Sequence, residues 1–257
     1  DQIVPVPMDL SVVFEDEHVL VIDKPAGMPV HPSQGHYENT LANGIAWYYR
    51  NEATPFVFRA VNRLDRDTSG LVLLAKNPYS SCVLSDAVKD HTIHREYAAI
   101  VSGKTDASGT IDLPIARKDG STIERVCDPE RGETAVTHYR TFAYNKDADI
   151  SFIRLLLETG RTHQIRVHMK AIGHPLPGDF LYCPDYRFID RQPLHSTYLR
   201  FSHPVTGEKL EFSASLPEDM RKLFPDIKNP SGLFLRQDLT DFYLLFFNHY
   251  ILKCISS

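Results

Sequence analysis

The feature that most limits what this chain can fold into is a series of strand-length apolar runs, each cut off by a turn former. SVVFEDE and HVLVIDKP, from Ser11 to Glu17 and from His18 to Pro25, read as two short strands around an acidic turn. The second is β-branched and is stopped by Pro25. GLVLLAKN, from Gly70 to Asn77, reads as a buried strand, EYAAIVSG as a strand ended by Gly103, and ISFIRLLLETG as a strongly apolar strand, while TAVTHYRTFAY alternates. STYLRFSHPVTGEKLEFSA reads as a hairpin about VTGE. Helices are interspersed. Thr40 suits the N-cap of a helix through LANGIAWYYRN, residues 79–90 look helical, and PEDMRKLF is a short amphipathic helix. Thr162 is a candidate cap for a helix over HQIRVHMKAIG, ended by Gly173. No regular βαβ alternation and no internal repeat appears. The expectation is therefore an α+β fold with a large mixed, mostly antiparallel sheet and flanking helices and loops.

A chain of 257 residues with 42% hydrophobic content can bury a sizeable core in one large domain or two small ones. The formal net charge of -5 argues weakly against indiscriminate nucleic-acid binding, so any such site must be a local basic patch. Cys82, Cys127, Cys183 and Cys254 form no C-x-x-C pair and are expected to be free thiols in a reducing compartment. No stretch is apolar and long enough to span a bilayer, and the N-terminus has no basic region leading into an apolar one, so the expected location is the cytoplasm. Residues 1–10, proline-punctuated, read as a linker and 11–225 as the main domain. The segment 226–257, rich in aromatic and aliphatic residues without amphipathic spacing, reads as a tail that either docks on the core or stays exposed.

Three segments carry chemistry. In AVNRLDRDTSGLVLLAKN, Asp65 is flanked by Arg63 and Arg66 in a turn held by Thr68, Ser69 and Gly70. Guanidinium groups nearby keep an aspartate ionised, as a nucleophile or base requires. The spacing alone equally allows Asp65 and Asp67 to shape the turn by accepting from backbone N–H groups, or to act as a carboxylate pair in hydrolysis. In HREYAAIVSG, Tyr97 by itself reads as a half-buried strand tyrosine. The span from Leu155 to Asp179 gathers Arg161, His163, Arg166, His168 and Lys170, the clearest local basic patch, or else a helix with a solvated basic face. His163 and His168 are five residues apart and share a helical face poorly, and His91 with His94 is equally unpersuasive, so no metal site is expected.

NRLDRDTSG closely resembles the H-R-L-D-x-x-T-S-G motif of the RluA-type RNA pseudouridine synthases, with Asn62 where histidine is common. HREYAAIVSG resembles their K-x-Y-x-A-x-V-x-G strand, GRTHQIRVH matches G-R-T-H-Q-I-R-x-H throughout, and LHSTYLRFSHPVTGE resembles the C-terminal L-H-A-x-x-L-x-F-x-H-P-x-T-G-E hairpin. VLVIDKPAGMPVHPS and TLANGI add to the resemblance, which runs in family order from Leu10 to Phe224 and looks most like the members acting on large-subunit ribosomal RNA. It implies the pseudouridine synthase fold around a central RNA-binding cleft, and an isomerase that flips a uridine out of structured RNA. By resemblance Asp65 is the essential carboxylate, Arg166 its salt-bridge partner, and Tyr97 the ring that stacks on the target base and is a proposed proton acceptor. Arg63 would fill the gap left by the flipped base, and Arg66, Arg161 and His163 would bind RNA or brace the site. The reaction exchanges no electrons, so no cofactor is expected. The expected partner is RNA, ribosomal first and transfer RNA second, bound by a monomer. Many members carry an N-terminal S4 RNA-binding domain, and residues 1–10 sit where a linker from one would lie. Two other readings remain at this stage: a non-catalytic RNA-binding or ribosome-assembly module, and a carboxylate-dependent glycoside or nucleoside hydrolase, which would release free base or sugar.

Overall fold

The computed structural model describes residues 3–33, 35–51, 56–225 and 227. The expectation for the tail therefore falls, Ile227 apart, outside the described residues, as does Cys254.

The chain opens with β1 (Ser11–Glu15) and β2 (Val19–Lys24), antiparallel, joined by a turn in which Asp16 accepts from the backbone N–H groups of His18 and Val19 at 2.7 and 2.8 Å. α1 (Leu41–Tyr48) starts at Thr40 as expected, with Thr40 and Asn43 forming a capping box. β3 (Ser69–Ala75) is buried along its whole length. α2 (Pro78–Lys89) is capped by Asn77 and carries proline at its first position, where the missing N–H costs nothing. Then come β4 (His94–Ser102), β5 (Ser108–Asp112), the small pair β6 (Ile115–Arg117) and β7 (Arg125–Cys127), β8 (Val136–Asn145) and β9 (Ile150–Leu157). α3 (Gln164–Ala171) precedes the hairpin of β10 (Leu194–Ser202) and β11 (Lys209–Ser213), and the single turn α4 (Glu218–Arg221) follows. Residues of the segment read as a linker are tied to α1: Val6 donates to the Asn43 carbonyl at 3.1 Å, and the Asn43 amide donates to the Val4 carbonyl at 2.8 Å.

Among the described residues, nine strands form one sheet in the order β1-β2-β3-β10-β4-β9-β8-β5, with β11 beside the far half of β10. This is the large, mostly antiparallel mixed sheet expected. The register explains why β2 and β3 are continuously apolar rather than alternating. Leu20, Ile22, Val72 and Leu74 pack on one face with Leu41 and Ile45 of α1 and Ile165 and Met169 of α3. Val19, Val21, Leu71 and Leu73 pack on the other with Leu84 of α2. Strands covered on both faces have no solvated side to mark with polar residues.

The one parallel pairing among these strands is a short seam, His195 to Ser69 and Ser196 to Gly70. It places β10, late in the chain, between β3 and β4 and joins the two antiparallel parts of the sheet. Gly70 lies here at φ +107°, and a Cβ on it would stand 2.3 Å from the Ser196 carbonyl oxygen and 2.6 Å from its nitrogen. The Ser69 hydroxyl and His195 Nδ1, 2.9 Å apart, tie the same seam with a buried hydrogen bond.

One expectation is corrected. The cap of α3 is His163, not Thr162, and His163 sits in the left-handed region at φ 58° with no side-chain capping bond. Its ring is committed elsewhere, as described below, and the turn before the helix is instead held by the Gln164 side chain. That side chain accepts from Arg161 N–H and the Thr159 hydroxyl and donates to the Val136 carbonyl and Thr137 hydroxyl, all between 2.8 and 3.0 Å.

Gly70→Ala is expected to destabilise the protein by about 2 kcal/mol or more, since it adds left-handed strain to a backbone clash that a flexible side chain cannot relieve. Urea unfolding would show this as a lower midpoint; a midpoint equal to wild type would mean the seam adapts.

Candidate active site

The segment from Asn62 to Ser69 leads into β3 at the seam. Its backbone is tied down residue by residue. The Asp65 carbonyl accepts from Thr68 N–H at 3.1 Å. The Arg66 carbonyl accepts from the Lys24 ammonium at 3.1 Å, which also donates to the carbonyls of Pro25 and Met28. Burial pulls Lys24 down to about 7, against the opposing pull of Asp67 and Asp65, and the three carbonyls engage every N–H of its charged form. The Asp67 carbonyl accepts from Arg191 at 3.1 Å, and Arg191 is in turn held by both carboxylate oxygens of Asp219 at 2.6 and 2.9 Å. At the start of the segment, the buried Asn62 amide accepts from Leu73 N–H at 2.7 Å and donates to the Leu71 carbonyl at 3.1 Å. Asn62, standing where the resemblance leads one to expect histidine, thus pins the loop to β3.

Asp65 is the group that this scaffold presents. Arg166, projecting from α3, donates through Nη1 to Asp65 Oδ2 at 2.8 Å. The rest of its guanidinium is taken by Asp179, Nε to Oδ2 at 2.6 Å and Nη2 to Oδ1 at 2.7 Å. Asp179 is fully buried and Arg166 nearly so, whereas the Asp65 side chain keeps 27% exposure. Burial works against the guanidinium charge, but the bonds to Asp179 and Asp65 and the nearness of both carboxylates push Arg166 above its ordinary pKa. Among the described residues, Asp65 Oδ1 accepts no hydrogen bond. One oxygen of the carboxylate is therefore oriented by Arg166 and the other is free.

Asp65 lines a cleft with Arg63, Thr68, Tyr97, Arg161, His163, Gln164 and Arg166, floored by Leu64, Leu157, Ile165 and Leu194. Tyr97 comes from β4, where it pairs with Leu155 and Ser196, and only 4% of it is exposed. Burial, with Asp65 adding to it, pushes its phenol above the ordinary value, so Tyr97 is a neutral ring at pH 7. His163 Nδ1 lies 2.9 Å from the Tyr182 hydroxyl, which accepts from Arg125 N–H, also at 2.9 Å. The assignment that uses both roles of that hydroxyl has Tyr182 donating to Nδ1, which leaves the imidazole proton on Nε2, 3.9 Å from Asp65 Oδ2. Burial holds His163 below its ordinary pKa although Asp65 pulls the other way, so it is neutral at pH 7. This pose is what the left-handed backbone of His163 serves.

The remaining cations divide clearly. Arg63 is exposed on the cleft rim and makes no hydrogen bond or ion pair among the described residues. Arg161 is held by Glu133 and by the Thr134 carbonyl at 3.0 Å. Arg66 does not line the cleft; it makes a two-pronged bond to Asp67 at 2.9 and 2.8 Å. His168 is buried between the Thr137 hydroxyl and the Leu113 carbonyl. The basic run of α3 is therefore not a solvated cationic face, since its central members are inside and paired. Asp179, Lys24 and Gln164 escaped the sequence reading. A lysine closing a buried strand and an aspartate after a glycine in a turn were the only local hints of the first two. No group of three His, Cys, Asp or Glu side chains able to hold a metal ion occurs among the described residues.

Comparison with known proteins places this geometry. The sequence profile of the RNA pseudouridylate synthase family matches residues 18–171. A Bacillus subtilis protein named as an uncharacterized RNA pseudouridine synthase, YjbO, is 47% identical over 220 residues, covering 85% of this chain and 76% of the relative. Ribosomal large subunit pseudouridine synthase D of Zymomonas mobilis is 42% identical over 240 residues, covering 86% of this chain and 73% of its own. Among solved structures, human RNA pseudouridylate synthase domain containing 1 superposes with a TM-score of 0.67 at 25% identity, over 80% of this chain and 83% of that one.

Asp179→Ala is expected to cost about 3–5 kcal/mol of stability, because it strands a buried guanidinium. Asp65→Ala, at the half-open end of the same pair, should cost much less. Urea midpoints of the two variants compare them directly, and equal losses would refute the assignment of Asp179 as the principal anchor.

Proposed function

This chain belongs to the RNA pseudouridylate synthase family, and we propose that Asp65 is the carboxylate with which it isomerises uridine in RNA to pseudouridine. The reaction breaks the N1–C1′ bond, turns the uracil and forms C5–C1′, with the C5 proton lost and N1 protonated. No electrons are exchanged and no group is gained. The protein's task is to admit a base that has left its stack, to supply one well-placed anion, and to move protons. The observation that carries the reading is the carboxylate held through Oδ2 by Arg166 with Oδ1 free, in a cleft that also holds Tyr97. Two routes begin from such an oxygen, attack at C1′ and removal of a ribose proton, and both need it anionic and unencumbered.

In this proposal Arg166 and Asp179 orient the nucleophile or base, and Tyr97 is the surface on which the uracil stacks. A proton-accepting role for Tyr97 requires its phenolate, which burial disfavours. Arg63, exposed at the rim and unpaired among the described residues, has the freedom to occupy the space a flipped base leaves. Arg161 is assigned to bracing the wall, with His163 Nε2–H directed toward the reacting region. Relatives named as ribosomal large subunit pseudouridine synthases support ribosomal RNA as the substrate ahead of transfer RNA, and with it a cytoplasmic location. No described helix is long and apolar enough to cross a membrane. Residues 11–225 are proposed as the catalytic unit, acting as a monomer without a cofactor.

Tritium release from ribosomal RNA labelled at uridine C5 tests the reading. Wild type should release label and Asp65→Asn should not, while still binding RNA in a filter assay. Loss of binding in proportion would assign Asp65 to structure instead, and free uracil among the products would indicate a hydrolase. Tyr97→Phe keeps the stacking ring and should fold, bind RNA and retain near-normal turnover; a large loss of turnover would assign the hydroxyl to proton transfer despite its burial.

A further inference from the structure

One exposed aromatic side chain stands beside the arginine that holds Asp65. Phe180 follows Asp179 in the loop after α3 and is 47% exposed. Its ring centroid lies 5.7 Å from the Arg166 guanidinium, whose Nη1 holds Asp65. On its outer side the ring lies 5.7 Å from the guanidinium of Arg66. The loop that presents it is rigid. Asp179 accepts from the backbone N–H groups of Leu181 and Tyr182 at 3.0 and 3.2 Å as well as gripping Arg166. Before it, Gly178 at φ +76° packs so closely that a Cβ would stand 2.5 Å from the Ile189 carbonyl. Asp179 before it is buried and Leu181 after it is partly buried, whereas Phe180 turns out. An aromatic ring left half in water on a fixed loop gives up part of its burial energy, and its position decides what can cover it.

We propose that Phe180 and Arg66 form a stacking platform for an unpaired nucleobase of the substrate RNA, next to the uridine that enters the cleft. The inference rests on the reading of Asp65 given above. Extracting a base from a stack leaves its neighbours with an uncovered π-face close to Asp65, and Phe180 stands across Arg166 from that carboxylate. Arg66 fits the same task. Its bonding edge is spent on Asp67, which neutralises much of its charge, and what remains available is its planar face, which stacks on aromatic rings. Recognition of this kind accepts any base, since each has a π-face.

The test measures binding of the full chain to a large-subunit ribosomal RNA transcript, alongside tritium release by wild type on the same RNA. Phe180→Ala should weaken binding roughly 5- to 150-fold, the range for loss of one stacked base. Phe180→Trp should restore it, with its indole fluorescence quenched on RNA addition relative to the signal of Trp47 in wild type. Binding by Phe180→Ala within twofold of wild type, while wild type still releases tritium, would overturn this inference and leave the catalytic reading intact. No release by wild type would remove both.

Discussion

The site depends on one shared guanidinium. Arg166 is buried, and a buried cation is tolerable only when its donors are met by anions in good geometry. Asp179 meets two of them from inside the protein and Asp65 a third from the edge of the cleft. The asymmetry matters. The inner carboxylate carries the structural burden, so that the outer one is oriented without being consumed, and its second oxygen remains available for chemistry. Had Arg166 turned its whole planar edge to Asp65, it would have held the anion and blocked it together.

That arrangement needs three stretches of chain to meet within a few ångströms, and the parallel seam between β3 and β10 brings them together. The seam draws the Asp65 loop against β4, which carries Tyr97, and α3 then runs past both. Its closeness is possible because residue 70 has no side chain. Around it, Lys24, Arg191 and Asn62 each fix a separate part of the loop backbone, so the carboxylate is held by its peptide frame as well as by its ion pair. A group placed this way needs little reorganisation when charge develops in the cleft.

Much of the architecture could be read in advance where the signal was local. Thr40 before an apolar periodic stretch and apolar runs ended by Pro25 or Gly103 are physical instructions to the backbone within a few residues, and the elements appear there. Thr162 failed as a cap for an equally physical reason. The turn before α3 is shaped by what His163 and Gln164 reach across space, Tyr182 and the end of β8, and capping preferences do not register such partners. The basic run in that helix misled in the same way. Its arginine and histidine are spaced as a cationic face would be, but Arg166 and His168 point inward to acceptors contributed by distant elements.

By itself the sequence determined the kind of sheet, the start of α1 at Thr40, and, through its motifs, the residues to suspect: Asp65, Tyr97 and Arg166. The elements follow from short-range chemistry, which a linear reading can follow, and the three residues from resemblance to a family rather than from their local spacing. Tertiary structure alone decided which of the cations would be spent and which free. It tied Arg161 to Glu133 and Arg66 to Asp67, left Arg63 without a hydrogen bond or ion pair among the described residues, and brought Asp179 under Arg166. The strength of a charge depends on what stands within a few ångströms of it and on how much water remains, and neither distance nor hydration is written in the order of residues.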